Sequence, residues 1–155
     1  MIILPFRSIT EILSAELQIQ ALRSIASHLD QNGIFILTLQ NPKTQLKLAD
    51  GLLRILGKFP FDEDRQMIVS CMNQYNEKEK IVSGFQFYEI FDSANIMIEK
   101  RVLEINFKPI SDSELRDMIR VAGLELTEMY GDYAYGSFDE DTSNFIICKM
   151  IKSDA

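Results

Sequence analysis

The run Ile34-Phe35-Ile36-Leu37-Thr38-Leu39 constrains this chain most. It is almost wholly apolar, with no polar alternation, and turn residues bound it: Asn32-Gly33 before, Asn41-Pro42 after. A strand with one wet face would alternate, so a continuous run predicts a strand covered on both sides, as in a parallel sheet. Met1-Ile2-Ile3-Leu4, stopped by Pro5, reads as a second buried strand. Between them Leu22, Ile25, Ala26 and Leu29 recur at helical spacing, with Ser14 placed to cap the helix. Strand, helix, glycine turn and strand make one βαβ unit, whose crossover is right-handed.

A new region opens at Asn41-Pro42. Leu46, Leu48, Leu52, Leu53, Ile55 and Leu56 suggest a helix, weakened by Gly51 and ended by Gly57. From Met67 to Phe107 the period becomes two: Met67, Val69, Cys71 and Tyr75 alternate with more polar residues, as do Phe85, Phe87 and Phe91. A third run, Ile96 to Phe107, follows the turn Asp92-Ser93-Ala94-Asn95. The pattern predicts an antiparallel β-meander over 66–107. Ser111-Asp112-Ser113-Glu114 then has the form of a capping box, and Leu115, Met118, Ile119 and Ala122 form a buried stripe. Gly123 ends the helix, Leu124 to Tyr130 reads as a strand, and Phe145 to Met150 as the last one. No linker or repeat interrupts the chain, so 1–155 reads as one domain.

Composition narrows the function. A net charge of -7 with no basic face argues against a nucleic-acid partner. No apolar run is long enough to span a membrane, and Met1 to Leu4 lacks the flanks of a signal peptide, so a cytoplasmic location is expected. Cys71 and Cys148 lie far apart inside strand-like stretches and read as reduced thiols, not a disulfide or metal pair. His28 is the single histidine, on a helix pattern, which argues against histidine-centred zinc or triad chemistry. Asp139, Glu140 and Asp141 lack the alternation of a calcium loop and read as a solvated acidic tip.

The order of these elements carries a resemblance. Glu114-Leu115-Arg116 through Ala122-Gly123-Leu124, then Tyr130-Gly131-Asp132-Tyr133, then Asn144 to Lys149 resembles the carboxyl end of class I S-adenosylmethionine-dependent methyltransferases. Leu22 to Leu39 is similar to that family's next helix and strand backwards, and Leu4-Pro5-Phe6-Arg7-Ser8 to the strand end and loop before them. The resemblance implies an α/β fold: a partial Rossmann-like methyltransferase fold, with the last parallel strands, a terminal antiparallel pair and the meander as an inserted substrate cover. It further implies methyl transfer from S-adenosylmethionine to nitrogen or oxygen of a small-molecule acceptor, with Pro5, Phe6, Arg7 and Ser8 on the cofactor side and Tyr88, Glu89, Tyr130 and Tyr133 on the acceptor side. No G-x-G stretch occurs, so the glycine-rich cofactor loop of the family has no counterpart here. The expectation is therefore the carboxyl-terminal half of such an enzyme, inactive as this chain alone. The alternatives are a non-catalytic self-associating domain and a truncated product of a longer gene. With the first strand left as a bare apolar edge, a homodimer is expected, through that strand or through a swapped meander.

Overall fold

The computed structural model describes residues 1–153. The chain divides into two compact units, residues 1–47 with 107–155 and residues 48–106.

In the first unit, β1 (Ile2–Leu4) pairs in parallel with β2 (Ile34–Gln40), with Ile3 opposite Ile36. The connection is α1 (Ala15–His28), capped by Ser14, whose Oγ accepts the Leu17 N–H at 3.3 Å. β7 (Leu124–Tyr130) and β8 (Phe145–Lys152) complete an order β1-β2-β8-β7. β8 lies antiparallel to both neighbours, so the terminal strand inserts between β2 and β7. α2 (Asp112–Val121) begins on the anticipated capping box: Ser111 Oγ accepts the Glu114 N–H, and Glu114 Oε2 accepts the Ser111 N–H at 3.0 Å. It ends at Gly123, which takes φ +75°, the left-handed conformation that closes a helix without a Cβ penalty.

One face of this sheet is the core. Leu22, Ala26 and Leu29 of α1 and Leu115, Met118 and Ile119 of α2 bury against Phe35, Leu37 and Leu39 of β2 and Ile146, Cys148 and Met150 of β8. The opposite face presents Ile3, Ile36, Thr38, Ile147 and Lys149 by alternation, and Ile3 is 52% exposed. So the run Ile34 to Leu39, which anticipated cover on both sides, is packed by helices on one side within the described residues.

The second unit is a four-stranded antiparallel sheet in sequence order: β3 (Asp50–Pro60), β4 (Gln66–Asn76), β5 (Ile81–Phe91) and β6 (Met97–Phe107). Phe107, its last residue, belongs to the first unit. The helix expected over Leu46 to Leu56 is corrected here: a single tight turn, Leu46–Leu48, leads into β3. Two register shifts, between Asp50 and Leu53 and between Ile55 and Gly57, break the alternation of that edge strand and bring apolar residues next to each other in sequence. Adjacent and skipped apolar positions then imitate helical spacing. In the middle of the sheet Gly84 faces Asn73 across β4 and β5, and a Cβ there would lie 2.1 Å from the Met72 carbonyl oxygen. No helix among the described residues is long and apolar enough to cross a membrane.

Candidate functional site

In an open α/β sheet, ligands bind beyond the carboxyl ends of the parallel strands. β1 and β2 end at Leu4 and Gln40, and a cavity of about 490 Å³ opens beside those ends, within the first unit. A larger hollow, about 730 Å³, lies on the second sheet near the hairpin at Asn76 to Lys78. The smaller one lies where an open α/β sheet places its ligand, with a mainly apolar lining and a few polar groups, and it is the candidate site.

Its floor is the helix-free face of the sheet: Ile3, Ile36, Thr38 and Ile147. One wall is Pro5 and Phe6, directly after β1. Phe6 and Arg7 both have positive φ, 56° and 57°, a conformation that costs a non-glycine residue of order 1 kcal/mol each. Thr38 holds them: its Oγ1 accepts the Phe6 N–H at 3.0 Å and its carbonyl accepts the Arg7 N–H at 2.9 Å. The bend leaves Phe6 83% exposed at the cavity edge. Arg7 turns away, its guanidinium 4.0 Å above the Phe107 ring, and Ser8 Oγ donates to the Pro5 carbonyl at 2.7 Å.

The opposite wall comes from β7 and the loop after it. Glu128 and Tyr130 alternate on β7 and so share a face, and Glu128 stands opposite Lys149 of β8. Glu128 accepts hydrogen bonds from Lys149 Nζ at 2.5 Å and from the Tyr130 hydroxyl. Asp132 then folds the loop, its Oδ1 accepting the Ala134 and Gly136 N–H groups at 2.8 and 2.9 Å. A Cβ at Gly136 would sit 2.5 Å from Asp132 Oδ2, so a larger residue there would push that carboxylate aside. The turn presents Tyr133 and Tyr135 to the cavity; Tyr135 meets Tyr130 edge-on at 5.3 Å, and Tyr133 meets Phe145 at 5.1 Å. The site is thus apolar below, aromatic on two sides, and carries two carboxylates, Glu128 and Asp132.

Of the residues anticipated from sequence, Pro5, Phe6, Tyr130 and Tyr133 line this one cavity. Arg7 and Ser8 shape the turn beneath Phe6. Tyr88 and Glu89 belong to the second unit, on β5. As neighbours on a strand they face opposite sides of the sheet, and Glu89 Oε1 binds Lys100 Nζ at 2.7 Å. Glu128, Asp132, Tyr135 and Lys149 were not anticipated. The alternation of Glu128, Tyr130 and Asp132 is visible in sequence; the Lys149 partner depends on strand register, which is not.

Outside the cavity, the acidic tip is tied down. Lys43 bridges Asp141 at 2.9 Å and Glu140 at 3.1 Å, which raises its ammonium above the usual lysine range. Hydrogen bonds from the Thr142 hydroxyl, and then from backbone N–H groups, lower Asp139. Cys148 lies in the core, where burial pushes its thiol up to about 12. No trio of His, Cys, Asp or Glu among the described residues is placed to hold a metal ion.

The fold is that of S-adenosylmethionine-dependent methyltransferases. The chain is similar to the CcbJ methyltransferase from Streptomyces caelestis, with a TM-score of 0.71 at 19% identity over 97% of this chain and 59% of that one. It is similar to an S-adenosylmethionine-dependent methyltransferase from Clostridium acetobutylicum, with a TM-score of 0.76 at 11% identity over 96% of this chain and 56% of that one. The third is CalS10, an amino pentose methyltransferase from Micromonospora echinaspora involved in calicheamicin biosynthesis: TM-score 0.71, 13% identity, 97% of this chain and 57% of that one. The chain therefore spans 56–59% of the length of these structures. No family model and no curated protein sequence matches it.

Proposed function

We propose that this chain is the acceptor-side, carboxyl-terminal half of a small-molecule methyltransferase and that its cavity binds a cationic amine. The observation that carries the reading is the lining of the cavity: Phe6, Tyr130, Tyr133 and Tyr135 beside the carboxylates of Glu128 and Asp132. Aromatic faces attract an ammonium through their quadrupoles, and carboxylates accept its N–H groups. An oxygen acceptor has no comparable need for either. The sugar and amino pentose methyltransferases of the same fold support an amine on a polar small molecule.

S-adenosylmethionine, when bound, supplies a methyl group that is already activated. The residues of this chain fit only part of such a cofactor: Pro5, Phe6, Arg7 and Ser8 offer a wall at the carboxyl end of β1. The Phe6 and Arg7 N–H groups are committed to Thr38, and no glycine-rich loop follows a parallel strand among the described residues. What this chain does is therefore on the acceptor side. The aromatic walls hold the amine and exclude water. Glu128 takes a proton from the bound ammonium, which frees the nitrogen lone pair that methyl transfer needs, while Lys149 keeps that carboxylate oriented. Tyr130 and Tyr133 carry the acceptor reading; of Tyr88 and Glu89, one at most can face any single ligand on either side of the second sheet.

The test is calorimetric titration of the purified chain with a simple methylated amine, an amino sugar, the corresponding neutral sugar and S-adenosylmethionine in turn. Saturable amine binding that is lost in Glu128→Gln supports the reading. Binding of neutral sugars with equal affinity sinks it, and tight binding of S-adenosylmethionine alone would place a full cofactor site in this chain.

A further inference from the structure

We infer that the cavity at the ends of β1 and β2 is an aromatic cage for methylated nitrogen, holding a trimethyl- or tetraalkylammonium group more tightly than a primary amine. The inference rests on the amine reading above and goes further, because it ranks ligands by how few N–H groups they carry. The rings come first. Tyr130 and Tyr135 stand at 86° with centroids 5.3 Å apart, so a cation in the corner between them meets a face of each. Phe6 and Tyr133 line the same cavity, and Phe6, Tyr133 and Tyr135 are 83%, 63% and 78% exposed. Elsewhere the chain covers such faces itself: Arg65 lies over Phe61, Lys100 over Phe87 and Arg7 over Phe107. Among the described residues no side-chain cation lies over the four rings of the cavity.

The carboxylates then decide which cation fits. Glu128 Oε1 accepts Lys149 Nζ at 2.5 Å, and Glu128 Oε2 accepts the Tyr130 hydroxyl. Asp132 Oδ1 accepts two backbone N–H groups, from Ala134 and Gly136. A primary ammonium brings three N–H donors into a cavity whose acceptors are largely engaged, and each donor left without a partner weakens binding. A quaternary ammonium brings none. Its charge is still matched, because Glu128 and Asp132 against Lys149 leave one negative charge in the lining. Its methyl groups also suit the floor of Ile3, Ile36 and Ile147, where each gains by leaving water. Lys149 does not fill this role itself, since its ammonium is held by Glu128 and lies over no ring. The cavity is therefore a receptor for quaternary ammonium compounds even with no cofactor bound.

The experiment is calorimetric titration of the full chain, at fixed ionic strength, with methylammonium, dimethylammonium, trimethylammonium and tetramethylammonium chlorides. Affinity should rise at least ~5-fold from the first salt to the last, about what one cation–π contact contributes. On the unaltered chain, ring currents should move the methyl proton resonance of bound tetramethylammonium upfield, a readout independent of any variant's folding. Tyr135→Leu should flatten the rise and shrink that shift, whereas Tyr135→Phe should keep both. Choline should bind at least ~5-fold more tightly than a neutral alcohol carrying a tert-butyl group in place of its trimethylammonium. Affinity that is flat or falls with methylation overturns the inference and leaves the amine reading standing. A neutral alcohol that matches choline, or an unmoved methyl resonance, overturns the cage as well. Failure of all four salts to bind removes both the cage and the amine reading.

Discussion

Thr38 holds the Phe6 backbone from a neighbouring strand, its hydroxyl accepting the Phe6 N–H at 3.0 Å. The same residue's carbonyl holds Arg7 at 2.9 Å, so one threonine fixes both positive-φ residues of the turn. Thr38→Val keeps the shape and removes the acceptor. It should cost about 1–3 kcal/mol in urea unfolding, because the Phe6 N–H loses its partner inside the turn. Thr38→Ser should cost less than half as much. Amine binding should weaken in the valine variant, since Phe6 is then no longer presented to the cavity; equal affinity would show that this turn does not shape the site.

Glu128 receives both Lys149 and the Tyr130 hydroxyl. Glu128→Gln keeps the size of the side chain and removes its charge. Affinity for a cationic amine should fall roughly 10- to 100-fold, the range of a charged hydrogen bond. Tyr130→Phe should fall less, because it leaves the carboxylate and an aromatic ring in place. A Glu128→Gln protein that binds the amine unchanged removes the carboxylate from the mechanism.

Gly84→Ala tests the packing of the second sheet. The added carbon would lie 2.1 Å from the Met72 carbonyl oxygen, and backbone cannot move aside as a flexible side-chain tip can. Destabilisation of at least ~2 kcal/mol is expected from such overpacking. For a domain of this size that lowers Tm by about 4–8 °C in calorimetry. Gly51, with nothing within 4 Å of its Cβ position but φ +82°, should suffer from conformational strain instead.

Cys148 predicts a pH dependence. Burial raises its thiol from an ordinary 9.0 to about 12. The folded state therefore keeps the proton where the unfolded chain releases it. This contribution to stability is complete below about pH 9 and disappears progressively as pH rises towards about 12. Cys148→Ala should flatten the decline of stability in that window relative to the parent. A thiol reagent at neutral pH should reach half-buried Cys71 first, and Cys148 only after denaturant is added. Equal rates at both would mean that the core opens.

Most elements of the first unit were legible because each is specified locally. Ser14, the Ser111–Glu114 box and Gly123 mark helix ends by their own chemistry, and the apolar runs of β2 and β8 need no partner to be recognised. β3 was not legible. Its two bulges destroy the period-two signal, and Leu52, Leu53, Ile55 and Leu56 then mimic a helix stripe. The site divides in the same way. Tyr130 and Tyr133 stand out as aromatics flanking Gly131-Asp132, but the Glu128–Lys149 contact spans two strands and follows from a register offset. That offset is a bulge between Leu126 and Glu128, which no local turn or cap residue announces.

The insertion of β8 between β2 and β7 has a consequence for synthesis. Residues 145–152 are made after every other strand described here, yet they occupy an interior position of the first sheet. Until they emerge, β2 and β7 have no shared neighbour, and the helices α1 and α2 have no finished surface to pack on. Residues 48–106, by contrast, pair only with their sequential neighbours and can form as soon as β6 is made. Residues 48–106 should thus fold while the segments flanking them still wait for β8. Translation stalled before Phe145 would leave the apolar face of β2 open to chaperones, and completion of β8 would close it.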